Sequence, residues 1–424
     1  MTHGRGSHAE TPRAQRWACG PAPRIEYAGY ITLVACLGIV QFTIFGANLI
    51  VVPGLLWLAL AIHEARKDGG SGLQARGSRV NIPAFFWPLV VLAAWTLVSS
   101  AFSLDPEESF RRSRQLLLFL IVPMSVRLLR GDRAMTAMNV IIALGAAGAV
   151  VGIIQYAALG FDDLNQRPRG TLGHYMTYSG LLMLVTCTAA ARLIYYRGEW
   201  IWPAIAVPAL LVALVFTESR NAWIGTMLAI TVLLALRQVR LLLLVPAGAI
   251  LFLVAAPPVA KERAWSVFDV QNATNRDRVA MLQSGADMVR DRPVFGVGLN
   301  LVPQVYPEYR SPLAVDPPDT VGVATRAHLH NVPMQLAAER GLPALAIWIW
   351  FVAVAGRDLF RQVRSGPARP AAAAGLAALI GMTAAGMFEH NFGDSEFLTL
   401  FLGIVSLGHA AAQGHTAVRP EPEA

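Results

Sequence analysis

About a dozen apolar runs of roughly 16 to 24 residues dominate this chain, at 28-44, 46-63, 83-102, 114-129, 134-157, 173-192, 200-217, 222-236, 239-256, 334-356, 371-389 and 395-412. Each is long enough, or nearly so, to cross the roughly 30 Å of hydrocarbon in a bilayer as a helix. Lipid offers the backbone no hydrogen-bond partners, so runs of this kind specify helices that satisfy themselves. The expected fold is an all-α polytopic membrane protein of about 12 transmembrane helices. Of the 424 residues 55% are hydrophobic and 15% charged, which leaves no material for a separate soluble domain.

A formal charge of +8 and a pI near 9.8 would fit a nucleic-acid binder. Here the basic residues are nearly all Arg, with Lys67 and Lys261 as the two lysines, and they are scattered through short loops. Membrane orientation accounts for that distribution, and no nucleic-acid partner is expected. Arg66, Lys67, Arg76 and Arg79, then Arg127, Arg130 and Arg133, then Arg192 and Arg197, then Arg237 and Arg240, and finally Arg357, Arg361, Arg364 and Arg369 fall in alternate loops. Together with the tails, that side holds more than half of the 35 Lys+Arg, so it is assigned to the cytoplasm. Twelve crossings then place both termini there: residues 1-26 form one tail, 27-412 the integral domain, and 413-424 the other tail. The first apolar run is read as a retained helix, because no small-residue cleavage site closes it. Cys19, Cys36 and Cys187 have no spacing suited to a metal or a disulfide.

The opposite loops are 104-112, 160-172, 218-221, 257-333 and 389-395. Among them 257-333 is large enough for structure of its own, and it lies between the ninth and tenth helices. Thr274 and Asp277 have capping-box spacing ahead of a helical pattern that Arg292-Pro293 closes. Gly296-Val297-Gly298 reads as a turn packed closely against a neighbour. The carboxylates Glu339, Glu389 and Glu396 in the apolar runs, and Arg340, lie at outer ends. A charge at mid-bilayer costs about 2.5 to 3.5 kcal/mol and is kept where it couples transport. None is kept here, which argues against an ion-coupled carrier and puts the chemistry at the outer surface.

The stretch 327-341 brings His328, His330, Asn331 and the pair Glu339-Arg340 to the mouth of the tenth run. Imidazole is the side chain best suited to exchange a proton near neutral pH, and the water-lipid boundary is where a lipid-linked head group lies. An interfacial helix start with Pro333 in its first turn is the plainer reading of the same residues. Arg220 sits in a turn too short to leave the membrane surface, and Arg278 opens the loop helix. A pair of guanidinium groups at that boundary suits a lipid diphosphate, although Glu218 is also available to neutralise Arg220. If a sugar is transferred from such a lipid, fixed guanidinium charge stabilises the leaving diphosphate without a metal, and a neutral His330 takes the acceptor proton. Arg167 and Arg169 are further candidates for an anionic lipid. His174 reads as interfacial, Arg276, Arg290, Arg292 and Arg310 as solvated or head-group charges, and Asp162-Asp163 as a poor metal pair. No metal and no cofactor are expected.

Three segments together resemble the O-antigen ligases, within the superfamily that also holds O-antigen polymerases and protein O-oligosaccharyltransferases. They are Thr217-Glu218-Ser219-Arg220 at a helix end, Arg278 with a helix and then Arg292-Pro293-Val294-Phe295-Gly296-Val297-Gly298-Leu299, and His330-Asn331 followed, after nine intervening positions, by Gly341. Ala344 departs from the pattern, which usually has Gly, Thr or Tyr there, and that bears on ligase against polymerase. The resemblance implies a class C glycosyltransferase-like fold in the bacterial inner membrane, with 257-333 in the periplasm. It implies transfer of O-antigen polysaccharide from undecaprenyl diphosphate to a sugar hydroxyl of lipid A-core, with inversion and without metal or nucleotide. Carried over residue by residue, Arg220 and Arg278 bind the diphosphate and His330 is the essential histidine, with Asn331, Arg167 and Arg169 as further substrate contacts. A polymerase, a protein O-oligosaccharyltransferase (usually a longer chain) and, from another class, a lipid-linked oligosaccharide flippase are the competing expectations.

Overall fold

A computed structural model describes residues 21–67, 81–163, 166–196, 198–315 and 328–415, and every regular element among them is helical. α1 is Pro21–Ile39, and a 3-10 segment at Ile44–Ile50 leads into α2, Val51–Lys67. α3 (Phe86–Ala101) and α4 (Pro106–Ser113) are followed by a 3-10 segment at Arg114–Leu120 and by α5, Ile121–Leu128. α6 is Asp132–Leu159, α7 Tyr175–Tyr195, α8 Ile201–Phe216, α9 Arg220–Arg237 and α10 Leu244–Ala255. The long loop contains α11 (Pro258–Trp265), α12 (Ala273–Asp291) and α13 (Val302–Val305). α14 (Val332–Ser365), α15 (Arg369–Ala385) and α16 (Ser395–His415) complete the chain.

Helix forms within each of the twelve apolar runs. Five helical stretches are long and apolar enough to cross a membrane, namely Ile44–Arg66, Asp132–Leu159, Tyr175–Tyr195, Val332–Ser365 and Ser395–Gln413, and four shorter apolar helices accompany them. The chain is thus a multi-pass helical membrane protein. The run 114-129, expected as one crossing, divides into a 3-10 segment and the short α5, whose eight residues are all buried. α10 is the converse: none of its residues is buried, and its apolar side chains form an outer surface suited to lipid. α1 starts at Pro21 rather than near 28, and α14 runs to Ser365 rather than 356, because helix continues past the apolar part into Arg24 and Glu26 or Arg357 to Arg364.

The Ala- and Gly-rich α15 lies at the centre, packed against α7, α9, α14 and α16. Its small side chains let backbones approach, as expected where apolar helices associate within lipid. A methyl group on Gly225 of α9 would stand 2.7 Å from the carbonyl of Gly381 in α15. That crossing sets the start of α9, with Arg220, beside the end of α15. Gly148 and Gly152 of α6 play the same part against α7, where the Tyr178 hydroxyl donates to the Gly148 carbonyl at 2.8 Å.

α14 breaks at Gly341, whose φ of 79° lies in the left-handed region. A side chain there would collide with the Val294 carbonyl. The strap 293–298 lies in this break: Leu342 N–H donates to the Pro293 carbonyl (2.8 Å), Val297 N–H to Ala338 (2.8 Å) and Gly298 N–H to Glu339 (3.0 Å). The packing role read for Gly296-Val297-Gly298 is what the structure has. Glu339 extends the join, accepting from Asn300 N–H at 2.8 Å and Gln335 Nε2 at 2.9 Å.

Candidate functional site

All five loops assigned to the outer side meet at one end of the bundle. Leu104 N–H donates to the Val297 carbonyl at 3.0 Å, Arg167 Nε lies 3.8 Å from Glu218 Oε2, and Arg220 reaches the long loop. His330 meets Glu389 across the remaining gap. Within this end lies a cavity of about 290 Å³ lined by Arg220, Asn275, Arg278, His330 and Asn331, with Ile224, Val279, Met387 and Phe388 forming an apolar wall. Polar groups converging on a largely apolar recess are the usual form of a small-ligand site.

Arg220 is the first residue of α9 and is 4% exposed. Its Nη1 donates to Ser266 Oγ at 3.0 Å and its Nη2 to Asn275 Oδ1 at 2.8 Å, so neutral partners aim the guanidinium and leave its charge uncompensated. Glu218, which the sequence offered as its partner, instead lies near Arg167. Its backbone φ of 52° turns the side chain away, and burial raises its pKa while Arg167 and Arg263 oppose that. Arg278 follows the N-terminus of α12. The cap there is Asn272, whose Oδ1 accepts from Thr274 N–H at 3.1 Å, rather than Thr274 as the capping-box spacing had it. Arg278 has no hydrogen-bond or ion-pair partner among the described residues, and its guanidinium borders the cavity.

Two further arginines stand in the same field. Arg167 lies over the Tyr175 ring at 4.4 Å, and Arg263 of α11 is close enough to Arg167, Arg220 and Arg278 to share their repulsion. The Nε atoms of Arg167 and Arg263 are buried without a hydrogen-bond partner among the described residues. Burial first, and then the neighbouring guanidinium groups, lower the pKa of Arg263; for Arg278 burial is again the first cause, with Glu389 opposing it. Four clustered guanidinium groups with few carboxylates invite an anion. Arg169 is not part of the cluster: Gln155 Oε1 captures the backbone N–H of Arg169 and Gly170 at 3.0 and 2.9 Å, and the exposed side chain lies over Phe161. His174 stacks on Tyr175 just ahead of α7, Asp162 and Asp163 are exposed, and Arg290 is an exposed partner of Asp287.

His330 stands in the left-handed region at φ 49°, a conformation a non-glycine residue holds only when its surroundings impose it. Those surroundings are visible. Leu329 N–H donates to Gln335 Oε1 (2.7 Å), Asn331 caps α14 by accepting from Met334 N–H (2.8 Å), and Asn331 Nδ2 donates to the Met387 carbonyl (2.9 Å). Val332 N–H donates to the Gly386 carbonyl at 2.7 Å. Asn331 therefore fixes the loop as well as lining the cavity.

Across from this turn, Glu389 is 2% exposed. Its Oε2 lies 2.8 Å from His330 Nδ1 and its Oε1 3.6 Å from His328 Nε2. Burial opposes its charge, yet the hydrogen bond from His330 and the nearby His330 and His328 outweigh that, and its pKa is held down to about 2. The ligating atoms of His328, His330 and Glu389 lie within 4.8 Å of one another, donors that can also hold a divalent ion. The short His330–Glu389 contact and the adjacent Arg278 charge favour a hydrogen-bonded dyad there. The sequence reading missed Glu389 and Arg263.

No curated protein matches the chain. The family model described as O-antigen ligase matches residues 204–349, from α8 into the first part of α14, a stretch that holds Arg220, Arg263, Arg278 and His330. That match over residues 204–349 supports the O-antigen ligase superfamily for this part of the chain.

Proposed function

We propose that this protein is an O-antigen ligase that moves polysaccharide from undecaprenyl diphosphate to a sugar hydroxyl of lipid A-core at the periplasmic face of the inner membrane, with both termini cytoplasmic. The observation that carries the reading is a single cavity bordered by two guanidinium groups without carboxylate partners and by an imidazole. In the proposed reaction Arg220 and Arg278, with Arg167 and Arg263 behind them, hold the diphosphate and stabilise the charge it gains as the sugar C1–O bond breaks. The acceptor oxygen attacks C1 from the opposite face, giving inversion, and its proton passes to His330 Nε2. Asn331 holds the turn that carries His330. The apolar wall formed by Ile224, Val279, Met387 and Phe388 receives the first part of the lipid. Carbon–oxygen exchange of this kind needs no redox partner, and four guanidinium groups supply the positive charge that a metal would otherwise bring.

Deletion of the gene in a cell that makes O-antigen tests the reading. Long polymer left on the lipid carrier beside bare core is the expected result. Single repeats on the core would identify a polymerase, and donor trapped on the cytoplasmic side a flippase.

A further inference from the structure

The dyad formed by His330 and Glu389 is assembled from two segments 59 positions apart, and both sides of it are immobilised. On the histidine side the backbone is held in a strained conformation by Gln335 and the Asn331 cap. On the other side the Glu389 carboxylate is fully engaged: Oε2 faces His330 Nδ1, and Oε1 accepts from His390 N–H at 3.0 Å with His328 Nε2 nearby. Two hydrogen bonds, Val332 N–H to the Gly386 carbonyl and Asn331 Nδ2 to the Met387 carbonyl, clamp the segments together. An ionised carboxylate only accepts, so a hydrogen bond at this distance requires the proton of a neutral imidazole to sit on Nδ1. The other ring nitrogen then carries the lone pair, on a ring that borders the cavity.

We propose that Glu389 is a positioning residue of the transfer site, which fixes His330 in the Nδ1–H tautomer and balances the charge of the imidazolium formed when Nε2 takes the acceptor proton. The inference rests on the reading of His330 as the base. Its local part, tautomer selection, holds whether or not His330 is that base. A carboxylate behind a histidine serves this purpose in other enzymes, where it orients the ring and favours its protonated form without touching substrate. Glu389 is buried and does not line the cavity, so it acts through the ring.

Two measurements on the full-length protein in lipid nanodiscs test this. In steady-state transfer assays Glu389→Gln lowers kcat by about 10- to 100-fold while the KM for lipid-linked donor stays within about threefold, and Glu389→Asp restores part of kcat. A KM rise with unchanged kcat, or a Gln variant as fast as wild type, overturns the proposal. Ring-labelled ¹⁵N-histidine spectra, assigned by subtraction with His330→Ala, show Nδ1–H for His330 in the wild type and a mixture of tautomers in Glu389→Gln. A wild-type ring protonated on Nε2 overturns it even if neither variant accumulates. Tautomer loss in Glu389→Gln together with an active His330→Ala would uphold the positioning of the ring and refute its part as base.

Discussion

Both ends of the helical bundle collect arginines, and they treat them differently. At the end that holds the basic loops, Arg127 lies 3.1 Å from Glu26 and 2.6 Å from Glu64, and Arg133 lies 2.8 Å from Glu26. At the end that holds the cavity, Arg220 is bound by Ser266 and Asn275, Arg278 has no partner among the described residues, and the carboxylate near Arg167 is 3.8 Å away. The first arrangement ties α1, α2, α5 and α6 together. The second leaves positive charge unspent in a half-buried recess, an unstable arrangement unless an anion completes it. Arginine count alone does not separate a structural cluster from a ligand site; the partner of each guanidinium does.

The two ends should differ most in what their arginines do for transfer. Arg278→Ala, Arg220→Ala and His330→Ala are each expected to cut transfer to lipid A-core by at least about 100-fold, with normal amounts of protein in the membrane. Arg133→Ala is expected to stay within about threefold of wild type, since the half-buried Arg133–Glu26 pair lies at the far end from the cavity. Near-wild-type O-antigen ladders from the first three, or equal losses at both ends, would dissolve the distinction.

Removing the carboxylates sharpens it. Glu64→Gln leaves the largely buried Arg127 with one partner fewer, and the melting temperature should fall by several degrees, about 1–2 kcal/mol, with transfer unchanged. Glu218→Gln should do the reverse at the other end. It withdraws a buried negative charge from beside Arg167, so the KM for donor is expected to fall a few-fold, and a rise would count against the anion site.

A smaller effect concerns pH. Burial and the adjacent Glu389 and Glu396 push Asp394 up from 3.8 to about 7, against the hydrogen bond from Thr177. A carboxyl with a raised folded-state pKa holds a proton that the unfolded chain gives up, so its stabilising effect is complete below about 4 and is lost as pH rises to about 7. Thermal melts of Asp394→Asn should be flatter across that window than those of wild type. The smallest expected effect is that of EDTA, which should leave transfer unchanged; loss restored by a divalent ion would make His328, His330 and Glu389 a metal site.

Much of this site was legible in the sequence, for reasons that also explain the omissions. Arg220, Arg278 and His330 lie beside turns or helix starts at run boundaries, where polar groups stand out against apolar neighbours. Gly341 stands out in the sequence because the break in α14 that admits residues 293–298 tolerates no side chain there. Glu389 was hidden at the end of an apolar run, and nothing in a linear reading joins it to a histidine 59 positions earlier. Arg263 carries no motif that marks it, and it joins the cluster only through the placement of α11 beside Arg167, Arg220 and Arg278. Arg169, read beside Arg167 for its proximity in sequence, stands apart from the cluster where Gln155 holds the backbone of Arg169 and Gly170. Run lengths likewise marked α5 as a crossing, although a 3-10 segment precedes it and all eight of its residues are buried.

In the proposed reaction the guanidinium-lined cavity holds the donor diphosphate while His330 takes the proton. Binding of undecaprenyl diphosphate to purified protein in nanodiscs, compared between His330→Ala and the Arg220→Ala/Arg278→Ala double variant, tests it most directly. The account predicts wild-type affinity, within about threefold, for the histidine variant and at least a tenfold loss for the arginine pair. Unchanged binding in the double variant would contradict it.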